Sequence, residues 1–239
     1  MENTFQVFRQ ENQIAVSAEA GEYLNSLLTE HKTKPVLLML SSGSALSLLD
    51  YVGQTALGEN LTVSMLDERF SVDESVNNFS QLQKTEFYTQ ALEADVSFFG
   101  TLPRHNDTME SLKTRWETDL KTWTEENPKG LIIATLGLGK DGHTAGIFPE
   151  ADEKKFKAMF ESENWVMAHD VGEKNQYPKR ITATLAFFKK IDFALAYVCG
   201  QEKKEKLDAV ILNRGKINEL PALGWQEIKD VKIFTDLKE

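Results

Sequence analysis

The residues best suited to chemistry lie in one short run, Gly137-Leu-Gly-Lys-Asp141-Gly-His143-Thr144-Ala-Gly-Ile-Phe148-Pro149. Asp141 and His143 flank a glycine there, and an imidazole with a carboxylate nearby is a minimal general-base arrangement for hydrolysis or proton transfer. The apolar segment Gly130–Thr135 ahead of it reads as a buried strand. The chain therefore leaves the interior through glycines, which let backbone and side chains approach a ligand closely. Taken alone, Asp-Gly-His is better read as a flexible turn holding a structural histidine. What decides between the two is the company the fold gives it.

Two more fragments follow apolar, strand-like runs: Ser41-Ser42-Gly43-Ser44 after Pro35–Leu40, and Asp67-Glu68-Arg69 after Leu61–Leu66. Ser42-Gly43-Ser44 sits where a helix begins, so its backbone N–H groups suit a phosphate, although serine there also serves as an ordinary N-cap. No Gly-Lys-Ser/Thr follows at Walker spacing, which argues against a nucleoside triphosphatase. Arg69 could bind a substrate or stabilise an oxyanion, and Asp67 could hold a sugar hydroxyl, against the plain alternative of a solvated charge cluster. Arg180-Ile-Thr182 and Gly200-Gln-Glu-Lys203 bring further cations near a strand start and a helix start, whereas Lys204 and Lys206 fit a solvent face.

These fragments need elements to position them. Strand-like and helix-like stretches alternate along the chain: strands near 5–8, 35–40, 61–66, 96–99, 130–135, 165–168, 181–184, 193–199 and 231–234; helices near 12–31, 44–52, 77–91, 107–126, 153–160 and 201–212. Such alternation predicts an α/β fold, a mostly parallel sheet with helices on both faces, organised as a single domain over residues 1–239. Ligands of open α/β sheets sit beyond the carboxyl ends of the strands. The loops at Ser42, Asp67 and His143 should therefore share one edge.

Composition narrows the function classes. A net charge of −10 argues against general nucleic-acid binding, but not against a small anion held by a few converging cations. No run approaches the ~18 apolar residues of a membrane span. The opening Met1-Glu-Asn-Thr-Phe-Gln lacks a signal-peptide pattern. The single cysteine, Cys199, reads as a buried strand thiol, and the expected setting is the cytoplasm. His31, His105 and His169 are weak candidates, no histidine pair has metal-ligand spacing, and no metal or cofactor is expected.

Together the fragments resemble the 6-phosphogluconolactonase family, within the larger group that includes glucosamine-6-phosphate isomerase/deaminase. The resemblance spans almost the whole chain and rests on Ser41–Ser44, Asp67–Arg69, Asn77-Asn78, Gly137–Pro149, Arg180–Thr182, Gly200–Lys203 and Leu220-Pro-Ala222. It implies a modified Rossmann-like fold and hydrolysis of 6-phospho-D-glucono-1,5-lactone to 6-phosphogluconate in the oxidative pentose phosphate pathway. His143 would activate water, Asp141 would orient it, and Arg69 would position the lactone or its oxyanion. Ser42, Gly43, Ser44, Asp67, Asn78, Arg180 and Lys203 would bind substrate or its phosphate, with no cofactor and no macromolecular partner required.

Departures from the family pattern are local. Ser42-Gly43-Ser44-Ala45-Leu46 stands where the family commonly has Gly-Gly-Ser-Thr-Pro, and Asn77-Asn78 where it has Ser-Asn. The deaminase branch typically continues Asp-Gly-His with Ile-Ala-Phe-Asn-Glu-Pro; here Phe148 stands at that glutamate position. Lactone hydrolysis is thus the expectation. An amino-sugar-phosphate deaminase and a non-catalytic sugar-phosphate-binding regulator are the alternatives.

Overall fold

A computed structural model describes residues 5–172 and 175–239. The strands are β1 (Gln6–Arg9), β2 (Val36–Leu40), β3 (Leu61–Met65), β4 (Asp67–Arg69), β5 (Ser97–Phe98), β6 (Leu131–Gly137), β7 (Val166–Asp170), β8 (Lys179–Ala183), β9 (Phe193–Val198) and β10 (Asp230–Thr235). The helices are α1 (Gln13–His31), α2 (Asn78–Leu82), α3 (Glu86–Glu93), α4 (Met109–Glu126), α5 (Glu153–Phe160), α6 (Leu185–Phe188) and α7 (Lys204–Ile211). Met1–Thr4, part of the segment read above for a leader, lie outside the described residues.

Seven strands form one parallel sheet in the order β1-β10-β9-β6-β2-β3-β5. The continuous apolar runs explain this: alternate residues of a buried strand feed opposite faces, and both faces here are covered. Leu37 and Met39 join a core with Trp116 of α4, Phe156 of α5 and Leu207 of α7. Leu38 and Leu40 join the other, with Leu24 of α1, Phe79 of α2 and Phe87 of α3. The strand order reverses between β2 and β6: β2, β3 and β5 run outward on one side, while β6, β9 and β10 run outward on the other. That switch point opens a crevice beyond the strand ends. Ser41 closes its base, donating from its N–H to the Thr135 hydroxyl (2.9 Å) and from its own hydroxyl to the Thr135 carbonyl (2.8 Å).

Three expectations need correction. Asp67–Arg69 is not a loop at a strand end but β4 of a second, antiparallel sheet, β4-β8-β7. Leu66 is the change-over: its N–H bonds Leu40 of the main sheet (2.8 Å), and its carbonyl accepts from Ala183 of the small one (2.9 Å). The segment after Gly43 is a 3-10 helix, Gly43–Tyr51, rather than a regular amphipathic α-helix, and it starts from a left-handed glycine (φ +67°). The stretch 77–91 is two helices. Thr85 breaks it, accepting from Tyr88 N–H (3.2 Å) as the N-cap of α3 while donating to the Leu82 carbonyl (2.7 Å).

Candidate active site

The loop after β2 reaches the crevice first. Its turn requires glycine for backbone reasons, since Gly43 has φ +67° although a Cβ there would meet nothing. Ser42 makes no side-chain capping bond, so the ordinary N-cap reading of this serine does not hold. The leading N–H groups of the 3-10 helix face a region where an anion is favoured.

β4 supplies the second wall. Side chains alternate along it, so Asp67 and Arg69 share the crevice face and Glu68 turns inward. The Glu68 carboxylate is fully buried, and it accepts from the N–H groups of Arg69, Asn78 and Phe79 and from the Thr101 hydroxyl. It thereby pins β4 to the start of α2. Burial pushes its pKa up to about 7, against the opposing pull of those four donors.

On β8, Arg180 lies in register with Arg69. Two cations side by side need relief. Arg180 finds it in Asp67 (3.2 Å), and its Nε donates to the Tyr177 carbonyl (2.9 Å). Burial holds its guanidinium below the usual range, with Asp67 opposing that shift and Arg69 adding to it. Arg69 lies over the Tyr177 ring (4.9 Å) and donates to the Val76 carbonyl (3.3 Å), while its Nε is buried without a partner among the described residues. Arg69 therefore pairs with an aromatic ring, not with Asp67.

The loop after β6 forms the third wall. A Cβ on Gly139 would fall on the His143 ring and the Asp141 carboxylate, so only glycine fits. Gly142 (φ +93°) completes the turn, closed by bonds from Gly142 N–H to Gly139 O and from Gly139 N–H to His143 O, both 2.9 Å. Asp141 Oδ1 then lies 2.5 Å from His143 Nδ1 and also accepts the His143 N–H at 3.1 Å. Burial raises the Asp141 pKa, but the hydrogen bond and charge of His143 outweigh it and leave the carboxyl below its ordinary value. The Phe148 ring stacks on His143 with centroids 4.4 Å apart and planes 23° from parallel. It also meets the Arg180 guanidinium, 5.3 Å from its centroid.

These walls enclose a cleft of about 290 Å³, close to the size of a small-ligand site. Ser42, Gly43, Ser44, Asp67, Arg69, His143, Arg180 and Lys203 all line it. Asp141, expected to orient His143, faces an adjoining cleft of about 260 Å³. One expected binding residue does not line the substrate cleft. Asn78 is fully buried and donates its amide to the Asp67 carbonyl (2.9 Å), so it supports the wall instead of lining it. Sequence reasoning missed Tyr197, whose ring lines the cleft and whose hydroxyl meets Ser17 at 2.8 Å. Its signal was a lone polar aromatic near the end of an aliphatic strand.

The cleft is locally cationic although the chain carries −10 overall. Arg69, Arg180 and Lys203 face a single carboxylate, Asp67. The remaining histidines are occupied elsewhere. His31 stacks on Phe193 at the start of β9, and His105 lies exposed ahead of α4. His169 bonds the Gly146 carbonyl (2.8 Å), and burial pushes its pKa down. Cys199 sits half-buried just beyond β9 rather than within it, and burial raises its pKa, which disfavours thiolate. Among the described residues no group of three or more His, Cys, Asp or Glu is placed to hold a metal ion, and no helix is long and apolar enough to cross a membrane.

A family profile described as glucosamine-6-phosphate isomerases/6-phosphogluconolactonase matches residues 11–233. A probable 6-phosphogluconolactonase of Dictyostelium discoideum is 24% identical over 157 residues, which is 66% of this chain and 64% of that protein. The match thus spans less than two thirds of that relative's length. Among solved structures, 6-phosphogluconolactonase from Trypanosoma brucei superposes with a TM-score of 0.77 at 17% identity, covering 98% of this chain and 96% of that one. A monomeric glucosamine-6-phosphate deaminase gives 0.73 at 16% identity, covering 97% of each chain. Proteins named as a lactonase and as a deaminase thus share this fold, and the fold alone does not distinguish them.

Proposed function

The chain belongs to the glucosamine-6-phosphate isomerase/6-phosphogluconolactonase family, and from that premise we propose that it hydrolyses 6-phospho-D-glucono-1,5-lactone to 6-phospho-D-gluconate, with His143 as general base. The observation that carries this reading is the Asp141–His143 pair in the wall of a cleft lined by Arg69, Arg180 and Lys203. With Nδ1–H donated to Asp141, the lone pair of Nε2 is free to accept a proton from water. The resulting hydroxide adds to the lactone carbonyl carbon. The oxyanion develops beside the Arg69 guanidinium, which lines the cleft. Collapse of the tetrahedral adduct breaks the bond to the ring oxygen, which takes the proton back from His143. The substrate phosphate lies against the Gly43-Ser44 backbone with Lys203 supplying charge. Arg180 adds charge from the side, since three of its nitrogens are engaged by Asp67, Tyr177 and Asn175. Asp67 keeps Oδ1 for a sugar hydroxyl, and Asn78 steadies it from behind.

The reading includes residues 1–239 as one domain, a cytoplasmic setting and a place in the oxidative pentose phosphate pathway. Phe148 separates it from the deaminase alternative, because a phenyl ring on the catalytic imidazole cannot supply an ionisable group for ring opening. The test is proton release from the lactone at constant pH, corrected for spontaneous hydrolysis. His143→Ala should lower turnover on the order of 10²-fold or more. Near-normal turnover in folded His143→Ala removes the mechanism. Ammonia release from glucosamine 6-phosphate selects the deaminase, and tight binding of the lactone without turnover selects the regulator.

A further inference from the structure

We propose that Phe148 is a positioning residue for His143, and that it transmits to the base the rigidity of the small antiparallel sheet. The proposal rests on the reading of His143 as the base. Its origin is a shortfall of constraints. The His143 side chain is 33% exposed, and a single hydrogen bond from Nδ1 to Asp141 fixes one point on the ring. About that contact the imidazole can still swing, carrying Nε2 through an arc across the cleft. A flat surface against the ring face removes this freedom. Phe148 is that surface, with centroids at 4.4 Å and planes 23° from parallel. One in-plane bond and one face contact together define where the Nε2 lone pair points.

A backing of this kind works only if it is itself held. Phe148 precedes Pro149, which biases its backbone towards extended conformations. Its ring also meets the Arg180 guanidinium at 5.3 Å. Arg180 is fixed by Asp67 (3.2 Å) and by the Tyr177 carbonyl (2.9 Å), and it is 7% exposed. The loop is tied to the same sheet a second time, where Gly146 N–H donates to the Thr182 hydroxyl of β8 at 2.9 Å. A continuous chain of contacts therefore runs Asp67–Arg180–Phe148–His143, from two strands that bind substrate to the group that activates water. Phe148 is not among the residues lining the substrate cleft, so it acts through the cleft residues its ring touches, His143 on kcat and Arg180 on KM, which the split between the two constants separates.

The experiment compares Phe148→Leu, Phe148→Tyr and wild type in steady-state lactone hydrolysis, with thermal melting of each protein alongside. Leucine keeps apolar bulk but has no flat face, whereas tyrosine keeps the face. The expected result is a kcat lower by ~10-fold in Phe148→Leu, since small misplacements of a reacting group cost about this much or more. KM should stay within about twofold, and Phe148→Tyr should restore most of kcat. Wild-type kcat in folded Phe148→Leu overturns the proposal. So does a raised KM with kcat unchanged, which would make Phe148 a wall of the binding site, and so does failure of tyrosine to rescue. Should Phe148→Leu not fold, Phe148→Met is read by the same criteria. His143→Ala, assayed in parallel, keeps the two readings apart: activity without His143 removes the base assignment itself, while an inactive His143→Ala beside an unimpaired Phe148→Leu removes this inference alone.

Discussion

Glu68 should write its titration into the stability of the protein. Its carboxylate is buried among four donors, the N–H groups of Arg69 (2.8 Å), Asn78 (2.6 Å) and Phe79 (3.0 Å) and the Thr101 hydroxyl (2.8 Å). Burial still prevails and lifts its pKa from 4.5 to about 7. An acid whose pKa is higher folded than unfolded binds more protons in the native state between the two values. Stability then falls as pH rises from 4.5 through about 7, and is level above. At about 1.36 kcal/mol per pH unit, that interval corresponds to ~3 kcal/mol. Glu68→Gln keeps the shape and abolishes the equilibrium; its lost hydrogen bonds add an offset that does not vary with pH. Urea unfolding of both proteins, followed through the buried Trp116 and Trp225, is compared between about pH 5 and about pH 8.5. Wild type should lose ~3 kcal/mol relative to the variant over that range, with other titrating groups cancelling in the difference. A difference that stays level would refute the reasoning and show that the four donors, not burial, govern this carboxylate.

Three further outcomes follow from the same geometry. Arg180→Ala should cost ~3 kcal/mol of stability, because it strands a buried Asp67 carboxylate; adding Asp67→Asn should return part of it, and a urea midpoint unchanged in Arg180→Ala would count against the pairing. Lys203→Ala, which removes a cation with no ion pair among the described residues, should raise KM for the phosphorylated lactone ~10-fold with kcat little changed; an unaltered substrate dependence takes Lys203 out of the phosphate site. Gly139→Ala should push the His143 ring and Asp141 aside and cut turnover by ~10-fold or more, and wild-type kcat in that variant would contradict the close approach.

Much of this was legible in the chain because buried parallel strands announce themselves. Val36–Leu40, Leu61–Met65 and Phe193–Val198 are runs of apolar residues, and the rule that ligands sit beyond the carboxyl ends of such strands is enough to bring Ser42–Ser44, Arg69 and His143 to one edge. The small sheet was not legible. β4 is three residues long and reads Asp-Glu-Arg, and neither its apolarity nor its period identifies a strand; only pairing with β8 does. The same gap hid the partner of Arg69, since Tyr177 lies just ahead of β8 and comes beside Arg69 only through the β4–β8 pairing. Asp141 fits the orienting role read from its spacing to His143, whereas the resemblance that made Asn78 a substrate ligand carried no information on which way its side chain turns. The helix start at Asn78 buries it behind the wall formed by β4.

The edge strand β1 has a consequence for how the molecule is assembled. Gln6–Arg9 pairs with β10 alone, Gln6 opposite Lys232 and Arg9 opposite Thr235, and Gln10 N–H continues the ladder to the Thr235 carbonyl at 2.9 Å. β1 thus has no docking partner in the sheet until β10, the last of these ten strands in chain order, is available. Closing so long a loop is slow. Amides of Val7 to Arg9 should therefore be among the latest protected in refolding monitored by pulsed hydrogen exchange, with those of β2 and β3 protected earlier; simultaneous protection would show that the sheet forms in one step.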